Sequence, residues 1–390
     1  MKQRLERKVQ DIVTYLMDAK SEDEGYSLFS GAAGVSLFLF YYSRYSNNDK
    51  YSERAMEILA SAIDKIDSNL NYTYCEGISG LCWCIDHLVS NGFIDRENDE
   101  VLSHFDTFIG ESSLTALSYQ NNDFLHGAIG SAFYLLKRTD QPGVKRMLKQ
   151  LVEILYEHKI PHNEQIYWKY KIGFVKDSCN ISLAHGMAST CIFLTKAAKL
   201  DISRVYCDEL LSKSIDFLLK QEIERPNRIS IYPTYSNLLQ ENSNLDYKSR
   251  LGWCYGDLGI ALSIWQYSNY IDNISLKNKA IEIFLFSCQR TELDMNSVID
   301  AGLCHGTAGI ALIFKRMYLN TNLSEFQEAA NYWLDQTLLM DKYHDGIMGY
   351  KANCKESSIG FLDGVAGIGL VLLSFLSNDD PKWDECLLLS

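Results

Sequence analysis

The stretch "AGLCHGTAGIALIF" (residues 301–314) sets a cysteine and a histidine directly before a G-x-x-G and an apolar run. Six relatives occur along the chain: "LFSGAAGVSLFLF" (28–40), "YCEGISGLCWCI" (74–85), "FLHGAIGSAFYLL" (124–136), "LAHGMASTCIFL" (183–194), "WCYGDLGIALSIW" (253–265) and "FLDGVAGIGLVLL" (361–373). Six of the seven copies keep G-x-x-G, and the copy at 183–194 carries Ser189 in place of its second glycine. The first glycines of successive copies lie 46 to 70 residues apart, room for two helices and two loops. One further match, Gly346 to Gly349, falls outside the repeat and reads as an ordinary turn.

The run after each G-x-x-G is apolar on nearly every side, so it predicts a helix that must be buried. Glycine spares a side chain where helix ends crowd and leaves backbone N–H groups accessible. Intervening stretches such as "SERAMEILASAIDKI" (52–66) and "EFQEAANYWLDQTLL" (325–339) are amphipathic and suit an outer helix. Seven buried and seven amphipathic helices make an open solenoid or a closed double ring. Neither end shows the polar capping repeat a solenoid needs, which favours closure. The expected fold is all-α: an α/α toroid of seven inner and seven outer helices, one domain over residues 1–390. Short inserted loop or strand segments are expected at 158–180, which alternates, and at 222–250, a polar connection rich in Asn, Ser and Tyr.

Composition narrows the function. A formal charge of -13 argues against a nucleic-acid binder, which needs cations to neutralise phosphates, and against docking on anionic lipid. The opening "MKQRLERKVQDIVTYL" has no signal-peptide apolar stretch, and no apolar run approaches a membrane span. The eleven cysteines, an odd number, include several inside apolar segments such as "GLCWCIDHL". Reduced thiols in a cytoplasm are the expectation.

The residues before the first glycines are Ser30, Glu76, His126, His185, Tyr255, His305 and Asp363, a far more polar row than the runs they precede. In a closed ring they would face one end of the central space, beside helix N-termini that favour anions. Cys254 and Cys304 occupy the same position in successive copies, and His305 follows Cys304. Two thiols and an imidazole are a zinc-type donor set, and three protein ligands leave one position open, as in catalytic zinc sites. The same residues read equally as small buried hydrophobes with a capping histidine. His185 is a candidate acid or base, or a capping residue, with His126 as its competitor. Asp123, three residues before His126, is a turn residue or an acid–base partner. Arg250, four residues before Cys254, is a solvated loop arginine or a clamp for a carboxylate or an enolate oxygen. Cys75, Cys82 and Cys84 read as core thiols.

Over essentially its whole length, and most specifically in "WCYGDLG" and "LCHGTAG" some 50 residues apart, the chain resembles the lanthionine synthetase C-like (LanC) family. The resemblance implies an α/α toroid that binds Zn2+ through Cys254, Cys304 and His305. It also implies catalytic roles for His185, Asp123 and Arg250, with Tyr255 after the first ligand. Ser189, where the family motif has glycine, puts the local geometry around His185 in question. No stretch looks like an attached dehydratase or kinase-like region, so the chain resembles a stand-alone cyclase.

The implied activity is zinc-dependent cyclisation of a dehydrated lanthipeptide precursor. Peptide cysteine thiols add to dehydroalanine or dehydrobutyrine and form (methyl)lanthionine thioether rings. The implied partners are the precursor peptide, a dehydratase and an exporter in a membrane-associated complex. The alternatives are a LanC-like enzyme that adds glutathione or another small thiol, and a non-catalytic peptide-binding scaffold.

Overall fold

The computed structural model describes residues 1–66, 69–95, 99–169, 179–236, 248–377 and 379–390. Among these residues the chain forms fourteen α-helices in strict alternation. The buried series is α2 (Ala32–Ser46), α4 (Ile78–Ser90), α6 (Ala128–Leu136), α8 (Met187–Lys199), α10 (Asp257–Tyr270), α12 (Thr307–Thr321) and α14 (Val365–Leu376). Each begins directly after the first glycine of one repeat. The amphipathic series is α1 (Lys2–Asp18), α3 (Lys50–Asp64), α5 (Asp99–Ser118), α7 (Val144–His158), α9 (Arg204–Leu219), α11 (Ile274–Cys288) and α13 (Ser324–Leu339). The two series differ as their patterns predict: α14 buries every residue from Val365 to Ser374, whereas α3 buries only Tyr51, Ala55, Ile58, Leu59 and Ala62, one stripe at helical spacing.

Two compact units result. The first comprises Met1–Leu102 and Val298–Ser390, and the second Ser103–Ser297. In the first unit α14 packs on α2, α12 and α1, α2 packs on α3 and α4, and α12 on α13. In the second unit α8 packs between α6 and α10 and against α9, and α10 packs on α11. No helix among the described residues is long and apolar enough to cross a membrane.

The loops before the buried helices share one form. Six residues ahead of the first glycine, Asn71, Asn121, Asn180, Asp300 and Ser358 each accept a hydrogen bond on a side-chain oxygen from the amide two residues on. The backbone carbonyl of the same residue accepts from the first helical amide: Ile78, Ala128, Met187, Thr307 and Val365. These are Asx and Ser turns that satisfy helix-start donors and fold the loop back on itself. The glycines permit it, because a Cβ on Gly309 or Gly367 would overlap the carbonyl of Leu303 or Phe361. Ser189 fits without that glycine, its hydroxyl donating to the Gly186 carbonyl at 3.0 Å.

Neighbouring loops are also stitched together. In the first unit the amide of Phe29 donates to Cys75 O, those of Phe361 and Leu362 to Phe29 O, and those of Leu303 and Cys304 to Leu362 O. In the second unit the amide of Ala184 donates to Cys254 O. The polar row at the repeat starts is thereby held at fixed spacing within each unit.

The segment at 158–180 contains an antiparallel hairpin, β1 (Ile160–His162) and β2 (Gln165–Tyr167), with β2 against α9. Residues 170–178 and 237–247, which complete the two expected insertions, lie outside the described residues. The G-x-x-G at 346–349 is a turn, closing an Ile347–Tyr350 bridge with Gly349 at φ 85°.

Candidate functional site

Of the residues singled out in the sequence, Asp123, His126, His185, Arg250, Cys254 and Tyr255 fall in the second unit, and Cys304 and His305 in the first. In the second unit, Asp123 lies in the loop leading to α6 and is 2 % exposed. Its Oδ1 accepts from the amide of His126 at 2.8 Å, which aims Oδ2 at His185 Nδ1, 2.7 Å away. The His185 ring lies between two others, nearly parallel to His126 at 6.2 Å and tilted against Tyr255 at 5.7 Å. Burial opposes protonation of His185. The hydrogen bond and charge of Asp123, with the nearby Cys254, outweigh it, and the pKa lies above the ordinary histidine value.

Arg250 occupies the place that Asn, Asp or Ser holds in five of the other loops, six residues before Gly256. An arginine cannot accept the turn hydrogen bond, and this loop is held by other means. The guanidinium of Arg290, buried at the end of α11, donates to Ser249 O at 2.7 Å, to Asn296 Oδ1 at 2.8 Å and to Asp257 Oδ2 at 2.8 Å. Asp257, the first residue of α10, also accepts from the amides of Ile231 and Tyr232. Leu251 N donates to Asn296 O. The loop bearing Arg250, Cys254 and Tyr255 is thus clamped at both ends, with Gly256 at φ 86° completing the turn into the helix. Arg250 is half-buried, and among the described residues no hydrogen bond joins it to His185 or Asp123.

In the first unit, Cys304 is half-buried and His305 is buried at the start of α12. His305 Nε2 lies 2.8 Å from Asn353 Oδ1 and 3.2 Å from Asp300 Oδ2. Burial pushes the Asp300 carboxyl up, but His305 and the amides of Asn353 and Gly302 hold it below the usual carboxylate range. None of the eleven cysteines forms a disulfide. A thiol and an imidazole adjacent at one helix start are donor chemistry that suits a soft metal ion such as zinc. Cys82 and Cys84 are core residues, and burial pushes the Cys84 thiol up to about 12.

Asp300, Asn353, Asp257 and Arg290 were not singled out in the sequence. The recurrence of Asn, Asp or Ser six residues before the first glycine was legible there for Asp300. Asn353 and Arg290 carry no such signal.

The family description "Lanthionine synthetase C-like protein" matches residues 22–388. The chain belongs to this family. The LanC-like chain is 24% identical over 401 residues to the nisin biosynthesis protein NisC of Lactococcus lactis subsp. lactis, covering 93% of this chain and 88% of that protein. Its structure is similar to that of a nisin cyclase with a TM-score of 0.79 and 21% identity, covering 100% of this chain and 98% of that one. The fold is the α/α toroid expected from the repeat.

Proposed function

We propose that this LanC-like chain is a zinc-dependent lanthipeptide cyclase that acts as one toroid domain. The observation that carries the reading is the pairing of buried Asp123 with half-buried His185, set beside Tyr255 in a family member whose loops also bear two thiols and an imidazole. Cys254, Cys304 and His305 would hold the metal, with one position open to a substrate thiol. Bound zinc would supply a lowered pKa for that thiol.

In the reaction the cysteine sulfur of a dehydrated peptide bonds to the β-carbon of dehydroalanine or dehydrobutyrine, and the α-carbon takes up a proton. One S–H adds across one C=C, and no redox partner is needed. The Asp123 carboxylate accepts from Nδ1–H of His185, so Nε2 is the nitrogen that exchanges protons. A raised pKa favours a proton on that nitrogen, which suits delivery to the α-carbon. Arg250 offers its guanidinium to the enolate oxygen that develops before protonation. The reading extends to a cytoplasmic enzyme that receives its peptide from a dehydratase and works beside an exporter.

The test is direct. A dehydrated precursor peptide is incubated with the chain and then treated with a thiol-blocking reagent. Mass spectrometry should show the cysteines protected at unchanged peptide mass. Full blocking at every cysteine overturns the reading, and adducts formed only with added glutathione favour the small-thiol alternative.

A further inference from the structure

We propose that Asp300 and Asn353 fix the tautomer of His305, holding the proton on Nε2 and presenting Nδ1 as the metal-binding nitrogen. This rests on the zinc reading above, and names the residues that tune the affinity of that site.

The argument begins with the loop form that the repeats share. At the equivalent position three loops of this form carry asparagine, and Asp300 is the aspartate among them: Asn71, Asn121, Asn180. The turn needs only one oxygen, and Asp300 Oδ1 serves it by accepting from Gly302 N at 3.0 Å. An asparagine would do that equally well, so the turn does not explain the charge. The second oxygen does. Oδ2 accepts from the amide of Asn353 at 2.8 Å and faces His305 Nε2 at 3.2 Å. An asparagine amide nitrogen at that place would point N–H groups at two N–H donors.

Asn353 supplies the second acceptor from the far side. It sits in the loop after α13, at φ 48°, a left-handed conformation that asparagine tolerates and most residues avoid. That loop is tied down by the Lys8–Asp341 ion pair at 2.6 Å, by Lys8 Nζ donating to Met348 O, and by the Ala352–Glu356 bridge. The Asn353 side chain is thereby presented to Nε2 at 2.8 Å. A carboxylate only accepts, so Nε2 must be the protonated nitrogen of the neutral ring. The lone pair is then on Nδ1, the ring nitrogen nearer the backbone. A histidine with its tautomer chosen before the metal arrives loses no free energy to the wrong form, and the carboxylate makes the ligating nitrogen more basic.

Two variants isolate the effect. Asp300→Asn keeps the turn oxygen and removes the second acceptor. Asn353→Gly keeps the left-handed backbone and removes the side-chain oxygen. Long-range 15N–1H NMR of the zinc-stripped full chain should show His305 with its proton on Nε2, and a mixture of tautomers in each variant. Competition with a chromophoric chelator should give zinc affinities weakened by about 10- to 100-fold, with Asn353→Asp, which retains an acceptor, close to wild type. A proton on Nδ1 in the stripped wild-type chain, or unchanged zinc affinity in both variants, overturns the proposal. The NMR result does not depend on zinc, so a failed zinc reading, seen as Cys304→Ala retaining stoichiometric metal, is distinguishable from a failed tautomer assignment. Should Asp300→Asn not fold, Asn353→Gly carries both measurements.

Discussion

Nδ1 of His185 lies 2.7 Å from Oδ2 of Asp123, and the carboxylate is held in that direction by the amide of His126 on its other oxygen. The two side chains come from different repeats, 62 residues apart. Burial lowers the histidine pKa and Asp123 raises it, the second effect winning.

Removing the carboxylate charge should therefore reverse the sign. In Asp123→Asn the His185 pKa is expected to fall below that of the wild type, since burial is then poorly opposed. NMR titration of the His185 ring checks this, and an unchanged midpoint would remove Asp123 as the cause. Linkage follows from the same shift. A pKa raised on folding contributes stability that is complete below the ordinary histidine value of about 6.5 and is lost as pH rises through the folded value. The urea midpoint of the wild type minus that of Asp123→Asn should thus be largest below about pH 6.5 and shrink as pH rises through the raised folded value.

His185→Ala should retain bound zinc while slowing ring formation by roughly 10²- to 10⁴-fold, the usual contribution of a positioned acid. Slow or stereochemically mixed rings are the expected products, read by mass spectrometry and chiral analysis of the hydrolysed peptide. Wild-type rate and stereochemistry would take His185 out of the mechanism.

Cys304→Ala and Cys254→Ala should each lose stoichiometric zinc by metal analysis. In the proposed site each supplies one thiol of a three-donor set, and two donors would bind zinc far less tightly. Full metal content with intact cyclisation would sink the ligand assignment.

Arg290→Leu should destabilise the fold by ~3–5 kcal/mol, because it strands the buried Asp257 carboxylate without its cation. Its effect should be seen in urea unfolding, and the double variant with Asp257→Asn should recover part of the loss. If Arg290→Leu alone unfolds at the wild-type midpoint, the clamp on the Cys254 loop contributes little.

The sequence by itself determined the helix count, the alternation of buried and amphipathic helices, and the polar row before each first glycine. It did so because the repeat makes one local rule visible seven times: a glycine, followed three residues later by a second glycine or, once, Ser189, then a run apolar on all sides, which has no solution but burial. Cys254, Cys304 and His305 stood out at the repeat starts against alanine and glycine, but the residues alone read equally as buried small hydrophobes with a capping histidine. Side-chain partners were a different matter. That Asp123 turns to His185, that Arg290 clamps Ser249 and Asp257, and that Asn353 reaches His305 depended on which loops the packed helices bring alongside. Arg290 and Asp257 are 33 residues apart, and Asp300 and Asn353 53, with no periodicity linking them. Each meeting is set by tertiary packing, and only there does a common loop residue such as Asn353 acquire a histidine to hold.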